Sequence, residues 1–424
     1  MQEIEAVGAG IDAEAAAGAG AGAEVCERPW VFGLLIAPLA VVANGVIQGG
    51  ILAYLMSRNG VSGLRASQII SLLALPTTIY FLWSPITDFL VRRRTWLLLG
   101  ALVGAVLMVV AFEQKNLAAP LTIGLMFLSA CCVQLVVSSC GGMMGALRSE
   151  RSKRVASGFY QGGSLGFGAA SVFVLVMVFE RGHSRILPLV AGALIAVPGL
   201  FAFVAPKQEV VVEQGFSRTM RLIWGEFKST FLKWRAVPYT LTMVFPLASG
   251  AAVGLLPGVA ASYGVGGQQV AWMNGLGGAG LMAMGSLTAT LIPVRLRASV
   301  AYLAVALINA STLGVLWLGP LRPGTYYVGV TLYLFTVGAA YAMFTAVVLE
   351  FLGSSGKSGS GRYSIINSLG NVPVVYMLAM DGWGGNRWGV RGLSGTEAVM
   401  GAVGAAVLLA YFLAKGPEKV RGIA

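Results

Sequence analysis

The feature that most constrains this chain is a series of twelve apolar runs that follow one another with short polar turns between them. Each run is near or above the ~20 residues that an α-helix needs to cross ~30 Å of hydrocarbon. The runs cover residues 30–57, 66–90, 95–112, 118–146, 155–180, 185–205, 236–262, 268–293, 298–319, 324–350, 362–381 and 395–414. This pattern predicts an all-α polytopic membrane protein with twelve transmembrane helices.

The composition supports a membrane protein rather than a basic soluble one. Only 11% of the residues are charged and the mean hydropathy is +0.78, whereas about 25% of the residues are charged in soluble domains. A formal net charge of +12 would suggest nucleic-acid binding in a soluble chain. Here the basic residues lie in short turns between apolar runs, so we expect a lipid bilayer as partner and no nucleic acid.

The distribution of Lys and Arg predicts the orientation. Alternate turns together with the two tails hold 21 of the 29 basic residues. Because basic turns stay on the inner side of the membrane, both termini and the turn around Arg92 are predicted to be cytoplasmic. We therefore expect a multi-pass protein of the inner (plasma) membrane.

The longest polar stretch divides the spans into two equal sets. We predict a disordered acidic tail at 1–28, a six-helix bundle at 29–205, a basic linker at 206–235, a second six-helix bundle at 236–415 and a short cytoplasmic tail at 416–424. The linker has apolar residues at helical spacing between basic ones. It is either an amphipathic helix on an anionic inner leaflet or a soluble linker helix packed on the bundle.

The turn after the second run carries one acid and three arginines in the stretch Ser84-Pro85-x-x-Asp88-x-x-x-Arg92-Arg93-Arg94. An acid at a helix end can cap a neighbouring helix N-terminus or pair with an arginine, and such contacts could hold two halves together as a gate. The alternative is that these residues are only a basic anchor on the inner side of the membrane.

The layout of six spans, a linker and six spans resembles the major facilitator superfamily, which carries an acidic and basic motif in the turn between its second and third helices. Phe81–Leu98 is similar, more narrowly, to the muropeptide permease and acetyl-CoA transporter family. Further similarities to that family are Gly45–Gly50, Leu55–Ser62, Gln134, Glu150–Arg151 with Gly158-x-x-x-Gly162, and Asp381–Trp383. The resemblance implies the major facilitator fold and solute transport.

Acids are scarce at the predicted spans. Asp88, Glu180, Glu350 and Asp381 lie at their ends, and we expect Glu180 and Asp381 to be solvated at the outer surface. No ionisable residue is expected well inside a span. The second-half counterpart of the Asp88 turn, from Gly285 to Arg297, contains no acid of its own. A mid-membrane carboxylate relay is therefore not predicted.

Uncharged polar residues remain as candidates for solute binding. Several form i, i+4 pairs that share a helix face. The predicted set is Asn44, Gln48, Gln134, Ser138, Tyr160, Trp272, Asn274, Tyr341, Thr345, Asn367 and Asn371; Gln161 and Ser164 could join it. The alternative for each is an interhelical hydrogen bond that only stabilises the bundle.

We expect a transporter that moves a small or amphiphilic solute by alternating access, with Asp88, Arg92, Arg93 and Arg94 as its cytoplasmic gate. The alternative is a membrane receptor or scaffold that has kept the fold and lost transport. The chain lacks enzyme motifs such as H-E-x-x-H, and its only histidine, His183, cannot complete a His-rich metal site. We expect no enzymatic activity, no cofactor, no metal and a monomer.

Overall fold

The computed structural model describes residues 28–48, 51–61, 63–88, 91–147, 149–183, 185–205, 221, 224–225, 228, 237–352 and 359–414. The predicted acidic tail and most of the predicted linker at 206–235 lie outside these residues. Within the described part, every regular element is a helix.

The first half of the chain forms eight helices. They are α1 Val31–Ile47, α2 Ile51–Arg58, α3 Gly63–Ala74, α4 Pro76–Ile79, α5 Arg93–Glu113, α6 Pro120–Gly145, α7 Glu150–Glu180 and α8 Leu187–Gly199. Helix α1 has widened π-helical turns over Ala40–Ile47. Helix α4 continues in 3₁₀ turns over Tyr80–Leu82 and Ser84–Asp88, which lead to the basic turn.

The second half forms eight more helices. They are α9 Val237–Val244, α10 Ala251–Val259, α11 Gly267–Asn274, α12 Leu276–Thr288, α13 Ala298–Leu318, α14 Pro323–Leu352, α15 Gly359–Leu369 and α16 Asn371–Ala414. Pro246 lies in the break between α9 and α10, which together correspond to one predicted span. Between α10 and α11, Gly264 has a left-handed φ of +74° and turns the chain, close to the boundary that the sequence predicted.

The last two predicted spans need a correction, because the stretch between them is helical. Residues 382–394 were expected to be a turn, but α16 continues through them and bends only at Gly389, where φ is 67° and ψ is −160°. Glycine adopts this positive φ at low cost. The two arms of α16, residues 371–388 and 390–414, therefore form a hairpin whose connection is a single residue.

Seven helices in the described part are long and apolar enough to cross a membrane, and one of these, Tyr363–Ala414, includes both arms of α16. Four shorter apolar helices accompany them, at Val31–Ile47, Gln68–Leu82, Ala251–Tyr263 and Leu276–Leu291. Composition and helix length agree with a polytopic membrane protein.

Small residues set the packing distances between the helices. A side chain at Gly100 of α5 would place its Cβ 2.6 Å from the Cys132 carbonyl oxygen of α6. One at Gly329 of α14 would place it 2.6 Å from the Leu316 side chain of α13. Such close approach is typical of membrane helices. In lipid there is no hydrophobic driving force between helices, so their association depends on close van der Waals packing.

Two of the three apolar cores lie mainly within one half of the chain. One is built around Val42 and Met108, and another around Leu256 and Tyr326. The third contains residues of both halves, among them Tyr80, Met144 and Tyr363. We call the end of the molecule that contains Asp88, Arg93 and the start of α15 the closed end, and the end that contains the turns at Gly60, Gly182 and Gly389 the opposite end.

Candidate functional site

The Asp88 carboxylate joins the two halves at the closed end. Its Oδ1 accepts hydrogen bonds from Arg93 Nε at 3.0 Å and Arg93 Nη2 at 2.8 Å, and from the Ser360 backbone N–H at 3.2 Å. Ser360 lies in the first turn of α15, where unpaired N–H groups favour a negative charge. Arg93 Nη1 also donates to the Gly142 carbonyl of α6 at 3.2 Å. We call these groups the Asp88 cluster.

The arginines of this turn differ in their surroundings. Arg93 makes the contacts above, whereas Arg92 precedes α5 in an extended conformation and is exposed, and Arg94 is half-buried. The described contacts therefore place one arginine of the turn, Arg93, in the cluster.

The second half has a related cluster, although its segment Gly285–Arg297 contains no acid of its own. Arg297 donates to Glu350 Oε1 at 3.2 Å and to the Tyr239 hydroxyl, and the Ser299 N–H donates to Glu350 Oε2 at 3.2 Å. The carboxylate comes from the end of α14 and caps the first turn of α13. It was missed because Glu350 is 53 residues from Arg297 in the sequence.

Arg154 also joins the two halves. Its guanidinium donates to the carbonyl oxygens of Ile292, Pro293 and Leu296, which follow α12. The side chain is buried. Sequence could not separate Arg154 from its neighbours Arg151 and Lys153, since all three fit the basic inner turn equally well.

A layer of uncharged polar side chains continues the interface from the closed end towards the middle of the molecule. The Asn367 amide donates to the Tyr80 hydroxyl at 3.0 Å, and the hydroxyls of Ser138 and Ser364 are 3.0 Å apart. The Gln161 amide donates to the Thr345 hydroxyl at 2.8 Å. These pairs join α4, α6 and α7 of one half to α14 and α15 of the other.

Two more of the candidate residues extend this layer. The Asn371 amide donates to the Thr77 carbonyl oxygen at 3.0 Å. Tyr160 is buried and its hydroxyl faces that of Tyr363 on α15. We call the whole set the polar layer, and it consists of Tyr80, Gln134, Ser138, Tyr160, Gln161, Thr345, Tyr363, Ser364, Asn367 and Asn371.

Several buried polar atoms at this interface lack a hydrogen-bond partner among the described residues. They are the hydroxyls of Ser84, Ser139, Ser360, Tyr363 and Ser368 and the Gln134 amide nitrogen. A buried polar group without a partner costs about 1–3 kcal/mol, and native structures contain few of them. Their concentration between α4, α6 and α15 indicates an interface that is not optimised for permanent closure.

The other candidate residues are not brought into this layer. Asn44 donates to the Ser164 hydroxyl at 2.9 Å within the first half, and Tyr341 donates to the Ser249 carbonyl oxygen at 3.1 Å within the second half. Gln48 and Trp272 are exposed, Trp272 by 62%. The Asn274 side chain lies outside the described residues.

The contact between α7 and α12 loosens with distance from the closed end. A Cβ at Gly158 would overlap the Thr290 side chain. At Gly162 it would lie 3.1 Å from the Ser286 hydroxyl, and at Gly166 its nearest neighbour would be 4.0 Å away on Ala283. The three glycines are one helical turn apart, so α7 and α12 separate progressively towards the opposite end.

Two buried acids correct the expectations about charge inside the spans. Asp381 was expected at the outer surface, but it is fully buried, as is Glu397. Both lie on α16, one on each arm of the hairpin. The misplaced end of the predicted span at residue 381 put Asp381 at a surface, and Glu397 was overlooked although it is the third residue of the predicted run 395–414.

The helical fold is similar to that of solved transporters, among them members of the major facilitator superfamily. Three solved transporters with this fold are similar to the chain. The human organic anion transporter MFSD10 is 16% identical, with a TM-score of 0.64 over 90% of this chain and 98% of that one. FucP in the outward conformation is 13% identical, with a TM-score of 0.66 over 92% and 100%.

The third structure is the proton:xylose symporter XylE, which is 12% identical with a TM-score of 0.62 over 90% of this chain and 94% of that one. At this level of identity the likeness concerns the fold. No protein-family profile and no curated protein matches the sequence.

Proposed function

We propose that this protein is a secondary-type transporter that moves a small or amphiphilic solute across the inner membrane by alternating access. The observation that carries the proposal is the interface between the halves, which is polar and incompletely satisfied and whose α7–α12 contact is tight near the closed end and loosens towards the opposite end. Seven long apolar helices and four shorter ones lie in the described part. If the two arms of α16 are counted separately, their number equals that of the twelve spans we propose.

The excess of basic residues in alternate turns assigns the closed end and both termini to the cytoplasm. The conformer described above is then closed to the cytoplasm and more open outward, in keeping with its likeness to FucP in the outward conformation. The basic linker would contact the anionic inner leaflet, and the transporter would act as a monomer.

The gate consists of the Asp88 cluster and the Arg154 contact. In both contacts, a charged side chain of the first half hydrogen-bonds to backbone groups of the second half. Asp88 accepts from the start of α15, and Arg154 donates to carbonyl oxygens after α12. Opening this end exposes to water the Asp88 carboxylate, the Arg154 guanidinium and the backbone groups that they bound. Each contact can therefore break and re-form at modest net cost, because solvent replaces the lost hydrogen bonds.

The polar layer provides the chemistry for solute binding. Its side chains are hydroxyls and amides without a formal charge, which suits an uncharged solute that can donate and accept hydrogen bonds, or the polar part of an amphiphile. The Gln134 amide nitrogen is buried and has no hydrogen-bond partner among the described residues. The narrower resemblance of residues 45–165 suggests sugar-containing or acyl-linked compounds for a first screen.

A reversible cross-link across the closed end tests the proposal. In a variant whose native cysteines are replaced by serine, Ser138→Cys with Ser364→Cys should form a disulfide, because the two hydroxyl oxygens are 3.0 Å apart. In proteoliposomes, a solute that stabilises the purified protein against heating should be taken up. Uptake should stop when the disulfide forms and return after reduction.

The matched control is a cross-link inside the second half. Thr312 and Thr336 lie on α13 and α14 with their hydroxyl oxygens 3.4 Å apart, so a disulfide there should leave uptake intact. If no screened solute is taken up and the Ser138–Ser364 cross-link forms completely under all conditions, the protein is a static receptor or scaffold and the proposal fails.

A further inference from the structure

The two buried carboxyl groups of α16 lie at the same level of the hairpin. Asp381 and Glu397 are each eight residues from the bend at Gly389, or about 12 Å along a helix that rises 1.5 Å per residue. The arms approach closely between this level and the bend, since a Cβ at Gly384 would be 2.7 Å from the Gly392 carbonyl oxygen and would overlap the Thr396 side chain. The two side chains therefore meet inside the protein rather than at its surface.

Glu397 is surrounded by hydrogen-bond donors. Its Oε1 accepts from the Tyr333 hydroxyl at 2.8 Å and the Ser249 hydroxyl at 3.0 Å, and its Oε2 accepts from the Ala252 N–H at 2.8 Å. Ala252 is in the first turn of α10, whose N-terminus favours a negative charge. Three donors and a helix N-terminus all stabilise the ionised form of this carboxyl group.

Asp381 has the opposite environment. Both of its carboxyl oxygens are buried, and none of the donors in the described residues reaches them; they face only the carboxyl group of Glu397. The other titratable groups around the pair are the hydroxyls of Tyr333 and Tyr341 on α14. No Lys or Arg of the described residues acts on either carboxyl group. An ionised Asp381 would thus be a second negative charge without compensation.

The break before α10 connects this pair to a movable element. Ala248 has a φ of 45° and Gly250 a φ of +74°, and a positive φ at a non-glycine residue stores strain. The Ser249 hydroxyl between them binds Glu397, and its carbonyl oxygen accepts from Tyr341. Helix α10 leads from this break to the opposite end of the molecule.

We propose that Asp381 and Glu397 form a buried site for one exchangeable proton, and that this proton holds α10 against the α16 hairpin. In the occupied state Asp381 carries the proton and donates it to the ionised Glu397. Release transfers the proton from the Asp381 carboxyl oxygen to water and leaves two adjacent carboxylates. Their repulsion and hydration then separate the arms of α16 and free the start of α10.

The proton site is inferred from the positions and contacts of Asp381 and Glu397 and does not depend on transport. Coupling of this proton to solute movement would rest on the proposed function. Its test therefore uses no solute. Infrared titration of the full-length protein in lipid nanodiscs should show the carbonyl stretch of a buried, protonated carboxyl group that disappears as pH rises. Asp381→Asn should remove this band, and Glu113→Gln, which alters an exposed acid at the opposite end, should leave it unchanged.

The position of α10 can be followed in the same full-length protein in nanodiscs. A distance between spin labels at Ser262, which follows α10, and Arg387, near the hairpin bend, should change with the same midpoint pH as the band. Both positions are exposed. In Asp381→Asn the new amide N–H can replace the carboxyl O–H as the donor to Glu397, but it does not titrate. This variant should therefore make the distance independent of pH.

Two variants that keep both acids provide a second test in case Asp381→Asn does not fold. Ser249→Ala and Tyr333→Phe each remove one donor from Glu397, which should raise the pair's proton affinity and move the midpoint to higher pH by about 1–2 units. The proposal is overturned if Asp381→Asn retains the band, if these variants leave the midpoint unchanged, or if the α10 distance responds to Na⁺ at constant pH rather than to pH.

Discussion

Gly141 of α6 lies against α15 at the closed end, and replacing it should prevent the two halves from closing. A Cβ built on Gly141 would overlap the ring of Tyr363, which is fully buried. The ring cannot turn away without displacing its neighbours, because interiors are close-packed. Overpacking of this kind costs about 1–3 kcal/mol.

In Gly141→Ala this cost falls on the closed state alone, because α6 and α15 part when the end opens. The closed population should therefore decrease about 5- to 150-fold relative to the open one, given that each 1.4 kcal/mol is a factor of ten. Pulsed electron resonance between spin labels at Arg92 and Arg295, both exposed near this end, should show a longer distance in nanodiscs.

The control lies on the same helix. A Cβ built on Gly124 of α6 would meet no neighbouring atom within 4 Å, so Gly124→Ala makes the same chemical change without the overlap. The reasoning is refuted if Gly141→Ala and Gly124→Ala give the same distance distribution between the labels.

Three further substitutions probe the interface, each measured with the same pair of labels and by thermal unfolding in detergent. Asp88→Asn should shift the equilibrium towards the open form by about 1–3 kcal/mol, because the first turn of α15 and Arg93 lose their negative partner; an unchanged distance would leave Asp88 with only a local structural role. Arg154→Lys should also favour opening, since one ammonium group cannot reach three carbonyl oxygens, and equal behaviour of the two residues would contradict this. Gln134→Leu should stabilise the closed form by replacing an unpaired buried amide with an apolar side chain of similar size and should abolish solute binding; a loss of thermal stability would show that the amide is satisfied.

The overall architecture could be predicted from the sequence because it depends on properties that accumulate over many residues. Runs of apolar residues must cross the bilayer, and the polytopic all-helical chain follows from them. The division between the predicted runs 236–262 and 268–293 also follows from these apolar runs, and the chain turns near it at Gly264. The likeness to solved major facilitator transporters agrees with the expected fold. The narrower resemblance to the muropeptide permease and acetyl-CoA transporter family stays a prediction.

Contacts between distant segments could not be predicted in this way. Glu350 completes the Arg297 cluster, and Arg154 reaches the carbonyl oxygens after α12, only because the fold brings these segments together. The continuity of α16 through Gly389 was missed because Arg387, Arg391 and several glycines resemble a turn in composition. This error also hid the buried position of Asp381.

The most direct test of alternating access follows two distances on one protein in proteoliposomes. The first is between Arg92 and Arg295 at the closed end, and the second is between Asn59 and Arg322 at the opposite end, all of which are exposed. If the halves rock around the polar layer, a population with the first distance long should have the second one short, and addition of a stabilising solute should change the ratio of the two populations. A single fixed value for both distances, unchanged by Gly141→Ala and by solute, would contradict it.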